Sequence, residues 1–379
     1  MSDTAVRRYA PGRAREKELL DAAYALFAEV GFNGVSVRDI AARVGISHAS
    51  VLRYYPSKDA ILLALLDRWE RANHDWADEH PELTYEELVV ALAHRNASLP
   101  GYGELFSALA GEATPEQHPA HGHFVRRYRD LREEVSASRR DASKVVAGLW
   151  DGLQIMSLYL TEIDVAAELE AFFARDAAEP RPWQDPDPGD FQLGQEPTPL
   201  GYARGRQKRA QIVEEATTLF AQRGFLATSL SEIAARVGVS KSTLLHHIGS
   251  KDSLLRSVIA ERDRRIESTF AGPEFYSVDG LLDGARDNAV QSGLVELYTV
   301  LVCEAMSQGH PAHQYFEQRY RRGIIEFADL LRKHSRHVVD PVRSAAWFIA
   351  LWDGLQIQWL YDPDSVSIPD ELQRFIDWL

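Results

Sequence analysis

GVSVRDIAARVGISHASVLRYYPSKDAIL, residues 34–62, and ATSLSEIAARVGVSKSTLLHHIGSKDSLL, residues 227–255, are two versions of one pattern within the same chain. In copy 1, Ser36 stands three residues before Asp39, which is the spacing of a capping box at the start of a helix. Gly45 ends that short apolar run and suits a turn that needs a positive φ. Two short helices joined by such a glycine turn predict a helix-turn-helix motif.

The pattern predicts four consecutive helices in each copy. In copy 1 the first helix ends at Gly31, and Ser47 caps a third helix over SHASVLRYY that stops at Pro56. Ser57 caps a longer fourth helix, KDAILLALLDRW. Copy 2 repeats this plan with Gly224, Ser229, Glu232, Gly238, Ser240 and Ser250.

The repetition extends over nearly the whole chain. HPAH at 118–121 recurs at 310–313, and LWDGLQI at 149–155 recurs at 351–357. A segment rich in proline and acidic residues separates the copies and is expected to be an extended linker. The predicted domains are a helix-turn-helix domain at 1–56, a helical domain at 57–176, the linker at 177–201, a second helix-turn-helix domain at 202–249 and a second helical domain at 250–379.

Composition limits the class of protein. Hydrophobic residues make up 45% of the chain and charged residues 26%, as in ordinary soluble globular proteins. The single cysteine, Cys303, excludes an intrachain disulfide, and the first twenty residues lack the apolar segment of a signal peptide. With no long apolar run either, we expect a cytoplasmic protein without a membrane partner. The sequence contains no catalytic signature that we recognise, so we predict no enzyme activity, no cofactor and no metal.

The two quoted stretches resemble the DNA-binding region of TetR-family regulators, in order and twice. The later parts resemble the helical ligand-binding and dimerisation domains of that family. The resemblance implies an all-α fold in which two tandem units form an intramolecular pseudo-dimer. It also implies two partners, a double-stranded DNA operator and an unknown small-molecule effector. We expect a monomeric pseudo-dimer, with further homodimerisation left open.

The resemblance assigns DNA contacts to both heads, because the second helix of such a motif enters the major groove. Arg53 is suited to guanine and Lys241 to a phosphate. The family usually has a tyrosine where this chain has Leu52 and Leu245. The complete predicted set is Ser36, Arg38, Ser47, His48, Ala49, Ser50, Arg53, Tyr54 and Lys58 in head 1, and Ser229, Ser231, Ser240, Lys241, Ser242, Thr243, His246, His247 and Lys251 in head 2.

Charge predicts that the heads are unequal. The net charge of −14 opposes nucleic-acid binding as a whole, so local patches must supply the attraction. Residues 201–265 hold 12 Lys and Arg against 6 Asp and Glu, whereas residues 1–70 hold 10 against 9. Head 2 is therefore the expected electrostatic anchor, and the operator is expected to contain two unlike half-sites.

The helical domains contain apolar and aromatic residues that could line a ligand pocket, although such residues also form ordinary hydrophobic cores. The LWDGLQI helix suits either the boundary between the copies or packing within one domain. Two groups of residues could in principle bind a metal: Glu112, His118, His121 and His123 in copy 1, and Glu304, His310 and His313 in copy 2. We favour the alternative interpretation, in which these histidines lie at the surface or at the start of a helix. The predicted pocket residues are Trp76, Tyr102, Phe106, Trp150, Tyr159, Phe275, Tyr298, Trp352 and Trp359.

Three functions remain open from the sequence. The first is a ligand-responsive DNA-binding regulator, most simply a repressor. The second is a regulator-like scaffold or small-molecule-binding protein that has lost DNA binding, suggested by Leu52, Leu245 and the acidic total. The third is an enzyme on a helical scaffold, which the missing motifs disfavour.

Overall fold

The computed structural model describes residues 3–133, 140–174, 203–269, 277–290, 292–334 and 340–379, and within these ranges every regular element is an α-helix. Copy 1 forms α1 (Asp3–Gly34), α2 (Val37–Val44), α3 (His48–Val51), α4 (Lys58–Asp78), α5 (Tyr85–Ala97), α6 (Tyr102–Glu112), α7 (His121–Glu133), α8 (Arg140–Ser157) and α9 (Val165–Ala174). Copy 2 forms α10 (Ala203–Ala227), α11 (Leu230–Val237), α12 (Lys241–Ile248), α13 (Lys251–Thr269), α14 (Val278–Val290), α15 (Ser292–Glu304), α16 (His313–His334), α17 (Pro341–Tyr361) and α18 (Ile368–Trp378). The predicted linker lies outside the described residues. None of the helices described here is both long and apolar enough to cross a membrane.

Local signals fix the helix-turn-helix as predicted. Ser36 Oγ accepts the N–H of Asp39 at 3.3 Å, and the Asp39 carboxylate accepts the N–H of Ser36 at 2.8 Å. Gly45 then turns the chain with a φ of 72°. Copy 2 has the same capping box and a φ of 71° at its turn glycine. The caps and turns are therefore confirmed in both copies, because they depend on neighbouring residues alone.

The recognition helix of copy 1 is shorter than the sequence predicts. The expected helix over SHASVLRYY is wrong in length, since α3 covers only 4 residues and the chain then continues as a turn. Beyond Val51 the chain forms three-residue turns, from the Arg53 N–H to the Ser50 carbonyl and from the Tyr54 N–H to the Val51 carbonyl, and Pro56 disfavours the α conformation only at Tyr55 just before it. In copy 2 the matching position is Gly249, with a φ of 77°, and α12 reaches 8 residues.

The first helix of each head breaks at the predicted glycine. Gly31 has a φ of 75° inside α1, and Gly224 has a φ of 76° inside α10. Both values lie in the left-handed region, which a side chain would make costly. A short helical turn follows each break and leads to the capping serine of the next helix.

The copies meet along α8 and α17, which carry the two LWDGLQI segments. Gly152 packs so closely on Ala350 that a methyl group at 152 would overlap the Ala350 carbonyl. Gly354 packs in the same way on the carbonyl of Gly148. Since 148 matches 350 and 152 matches 354 in the repeat, these are two images of one contact. LWDGLQI therefore forms the boundary between the copies.

A second crossing lies between α6 and α15. Gly111 faces Cys303, and a methyl group at Gly111 would overlap the Cys303 side chain. The two positions are equivalent in the repeat, so a pseudo-twofold axis passes between them. The predicted all-α fold with two tandem units is thus confirmed, and the two units pack on each other around this axis.

Candidate DNA-binding heads and ligand cavity

The predicted contact residues of head 1 lie on its surface. Ser47 Oγ accepts the N–H of Ser50 at 3.1 Å, so it caps α3 while remaining solvent-accessible. Leu52 and Tyr54 are exposed over 38% and 40% of their surface, which is unusual for large apolar side chains. The other exposed residues of the predicted set are Ser36, Arg38, His48, Ala49 and Arg53.

Head 2 presents a longer and more polar surface. Ser240 Oγ accepts the N–H of Thr243 at 3.1 Å and caps α12. Lys241 is exposed at the first turn of this helix, where His48 stands in head 1. Ser229, Ser231, Ser242 and His246 are also exposed, and His247 is half-buried. DNA contact by these residues and by their counterparts in head 1 stays a prediction.

Lys58 and Lys251 have a different environment from the one that the sequence suggested. Lys58 Nζ donates to the carbonyl of Phe32 at 3.0 Å and lies 4.2 Å from the centroid of that ring. Lys251 Nζ donates to the carbonyl of Leu226 at 3.3 Å and lies 4.2 Å from the Phe225 centroid. Burial lowers the pKa of both ammonium groups. In this structure the two lysines tie the fourth helix of each head to the end of its first helix.

A cavity of about 460 Å³ lies in copy 1 between α4, α5, α7 and α8. Its walls combine aliphatic side chains and Trp150 with the polar groups of Glu70, Asn96, Arg127 and Asp151. The Arg127 guanidinium lies over the Phe106 ring at 4.8 Å, and its Nε has no hydrogen-bond partner among the described residues. The Asn96 side-chain oxygen is also buried without such a partner. An apolar space with unsatisfied polar groups in its wall is typical of a ligand site.

The equivalent residues of copy 2 are paired with one another. Asp263, which matches Glu70, accepts the Tyr315 hydroxyl at 2.8 Å and pairs with Arg262 at 3.1 Å. Arg262 and Arg319 lie over the Tyr298 ring, at 4.4 and 5.2 Å. Copy 1 has Trp69 and His123 where copy 2 has Arg262 and Tyr315. Copy 2 therefore has an ion pair, a hydrogen bond and ring contacts among its own side chains at these positions, with the Nε of Arg262 left without a hydrogen-bond partner among the described residues.

The predicted pocket residues separate into several environments. Trp150 lines the cavity. The Phe106 ring packs against the Arg127 guanidinium, and the Tyr102 ring stacks on Phe106 with 5.9 Å between the centroids. Tyr159 lies instead at the boundary between the copies, where its hydroxyl donates to the Val302 carbonyl at 2.5 Å. The others belong to packing: Trp76 stacks on His80, Tyr298 donates to Asp353, Trp352 packs on Phe348, and Trp359 borders the core. Phe275 lies outside the described residues.

The histidines of the two HPAH motifs have structural partners. His118 lies 5.5 Å from the Phe32 ring, and His310 lies 5.2 Å from the Phe225 ring. His121 stacks near Tyr361 of copy 2, whereas His313 stacks on Tyr159 of copy 1. Each motif thus connects its own head to a tyrosine of the other copy.

One group in the described chain has the spacing of metal ligands. Asp67, Glu70 and His123 offer atoms within 4.8 Å of one another. His123 Nε2 lies 3.3 Å from Glu70 Oε1, and burial lowers the pKa of His123 to about 4. A neutral histidine that donates to a carboxylate accounts for this contact, so we assign no ion to it.

Comparison with known proteins places these heads in a family. Residues 19–65 and 212–258 each match the family described as bacterial regulatory proteins, tetR family. The chain is 23% identical over 193 residues to the HTH-type transcriptional regulator TtgR of Pseudomonas putida, covering 45% of this chain and 89% of that protein. It is 45% identical over 154 residues to the HTH-type transcriptional repressor Rv3405c of Mycobacterium tuberculosis, covering 40% of this chain and 74% of the relative.

The chain belongs to the TetR family. It carries the DNA-binding part of that family twice, at the two helix-turn-helix heads, and is accordingly a DNA-binding transcriptional regulator. TetR-family membership confirms the resemblance seen in the sequence. Two residues were not predicted in their observed roles: Arg127 in the cavity wall and Glu304, whose carboxylate contacts head 2. The contacts that define these roles, with the Phe106 ring and with the backbone of Phe225 and Leu226, join residues that are distant in the chain.

Proposed function

We propose that this regulator is a ligand-responsive repressor whose two heads read two unlike half-sites of one operator. The observation that carries the proposal is the difference between two exposed recognition surfaces on copies related by a pseudo-twofold axis. Head 1 presents His48, Arg53 and the apolar Leu52, whereas head 2 presents Lys241 and several hydroxyl groups. Two heads related by a twofold axis read half-sites whose centres lie about one helical turn, or a multiple of it, apart.

The cavity of copy 1 is the proposed effector site. Helix α4 begins at Lys58, directly after the recognition region of head 1, and its second half lines the cavity, beginning with Glu70. A ligand that prefers a displaced α4 would shift the population toward heads that no longer fit the operator. This arrangement favours one effector per chain, acting first on head 1.

The proposal includes the cellular compartment and the oligomeric state of the protein. A regulator that binds chromosomal DNA works in the cytoplasm of a bacterium, as a monomeric pseudo-dimer with no enzyme activity. The predicted domain boundaries, including the linker at 177–201, are part of this proposal.

Selection of bound duplexes from a random library tests the repressor's DNA reading. The selected operator should contain two different half-sites, and the native duplex should bind at least about tenfold more tightly than either palindrome built from one half-site. Preference for a palindrome would contradict the reading by unlike heads. Failure of any duplex to bind at low salt would favour the alternative, a TetR-like scaffold or ligand-binding protein without DNA binding.

Two matched variants refine the test. Lys241→Ala should reduce the slope of log affinity against log salt by about one, because one phosphate contact is lost. His48→Ala, at the equivalent position of head 1, should leave the slope unchanged at pH 8. Equal slopes for the two variants would contradict the role of head 2 as the electrostatic anchor.

A further inference from the structure

Glu304, the last residue of α15, holds the end of the first helix of head 2. Its Oε2 accepts the N–H of Phe225 at 2.5 Å, and its Oε1 accepts the N–H of Leu226 at 2.5 Å. These two residues directly follow Gly224, where α10 breaks. The side chain is largely enclosed, and burial raises the pKa of this carboxyl while the two backbone donors lower it. Hydrogen bonds to a carboxylate are about twice as strong as neutral ones, so this contact is a firm attachment.

The same turn is attached to the fourth helix of the head. Lys251 donates to the Leu226 carbonyl, one peptide unit beyond the N–H groups that Glu304 accepts. Lys251 begins α13, immediately after the recognition helix α12. Glu304 and Lys251 together therefore fix both sides of the helix-turn-helix to one short segment of backbone.

Glu304 also lies beside the pseudo-twofold axis. Its neighbour Cys303 packs on Gly111 of copy 1, and Gly111 is followed by Glu112, the equivalent of Glu304. Glu112 is close enough to Glu304 and to Lys58 for both charges to act on it, and burial followed by Glu304 raises the pKa of Glu112 to about 7. Glu112 and Glu304 thus lie near each other beside the axis.

We propose that Glu304 is a positioning residue for operator binding, which helps to set the distance and angle between the two heads. This inference rests on the proposed reading of two half-sites. Glu304 attaches head 2 to α15, and α15 crosses α6 of copy 1 at the axis. Loss of this attachment frees head 2 to swing about its left-handed glycine, Gly224, without changing the residues that touch DNA.

The test separates reading from positioning. Glu304→Gln keeps the size of the side chain, but its amide N–H₂ would face a backbone N–H and lose that bond. Binding is measured to a single head-2 half-site and to a series of operators whose half-site spacing varies by single base pairs. The single half-site should bind within about twofold of wild type, whereas the best operator should lose about tenfold or more and the spacing optimum should broaden.

Two controls complete the design. Glu326→Gln removes an exposed carboxylate of α16 that pairs with nearby Arg322, and it should leave both measurements unchanged. Amide hydrogen exchange at Phe225 and Leu226 should speed up in Glu304→Gln, which reports the lost attachment without DNA.

The outcomes are distinguishable. An unchanged spacing optimum in Glu304→Gln overturns the positioning role and leaves the proposed function intact. Equal losses on the single half-site and on the full operator would show a merely stabilising residue and would overturn it as well. If the wild-type chain binds no duplex at any spacing, the proposed function fails and this inference fails with it.

Discussion

Tyr159 of copy 1 donates its hydroxyl to the carbonyl of Val302 in copy 2, at 2.5 Å. The reciprocal contact is present, because Tyr361 of copy 2 donates to Ala110 of copy 1 at 2.7 Å. All four residues are buried. Tyr159 matches Tyr361 and Ala110 matches Val302 in the repeat, so the two bonds are images of each other across the pseudo-twofold axis.

The first prediction concerns these two hydroxyls. Tyr159→Phe and Tyr361→Phe should each lower the free energy of unfolding by about 1 kcal/mol, since each leaves a buried carbonyl without its donor. The double variant, compared with the sum of the two single losses, measures whether the two bonds are coupled across the axis. Urea denaturation measures this, with the exposed Tyr54→Phe as control. A loss in one variant only would show that the two contacts are not energetically equivalent.

The second prediction concerns the close approach of α8 and α17. Gly152→Ala and Gly354→Ala should each destabilise the chain by about 3 kcal/mol, because the added methyl would overlap a backbone carbonyl of the other copy. Gly205→Ala in α10 is the matched control, since nothing lies within 4 Å of its new methyl group. That control should be neutral or stabilising by about 0.5–1 kcal/mol. Similar melting temperatures for all three variants would refute the tight crossing.

The third prediction concerns His118 and His310, whose pKa values burial lowers to about 4. An unfolded histidine titrates near 6.5, so between pH 6.5 and 4 the unfolded chain binds more protons than the folded one. The stability that each neutral ring contributes is therefore present above pH 6.5 and is lost as the pH falls through about 4. Each Nδ1 accepts a backbone N–H at 3.2 Å, which an asparagine oxygen can replace.

Stability measured against pH checks this. The advantage of wild type over His310→Asn should shrink by about 1–3 kcal/mol between pH 7 and pH 4. His118→Asn should behave alike, because the two histidines occupy equivalent sites. A difference that stays constant with pH would contradict the neutral, buried state of these rings.

The fourth prediction concerns the effector cavity. Native mass spectrometry of the regulator purified from its host should show one small-molecule adduct per chain. Trp150→Ala removes part of the cavity wall and should abolish the adduct. Trp352→Ala changes the equivalent residue of copy 2 and should retain it. Two adducts per chain, or equal losses in both variants, would count against a single site in copy 1.

The sequence predicted the parts of the heads that depend on neighbouring residues. Ser36 with Asp39, and Gly45 after them, form their cap and turn through bonds over at most a few residues. The repeat also predicted the pairing of copies, because a family that dimerises through its second domain is here present twice. The length of α3 was missed, because the helix ends at Val51, four residues ahead of the position that Pro56 restricts.

Long-range partners could not be read from the sequence. Lys58 begins a helix, and the sequence predicted that it would contact a DNA phosphate. In the folded chain its ammonium group donates to the Phe32 carbonyl. Glu304 was considered only beside histidines, whereas its partners are two backbone N–H groups 78 and 79 residues away. A backbone donor carries no sequence signal, so only the fold reveals such a contact.

The facing of Gly111 and Cys303 has a consequence for evolution. On the axis of a homodimer every residue meets a duplicate of itself, so a small side chain can never be matched there by a larger one. When the two halves belong to one polypeptide, the equivalent positions can carry different residues, as Gly111 and Cys303 do here. Either half paired with its own duplicate would bring two glycines together, leaving a void, or two cysteines together, colliding. We therefore expect each half to pair with the other half in preference to a duplicate of itself.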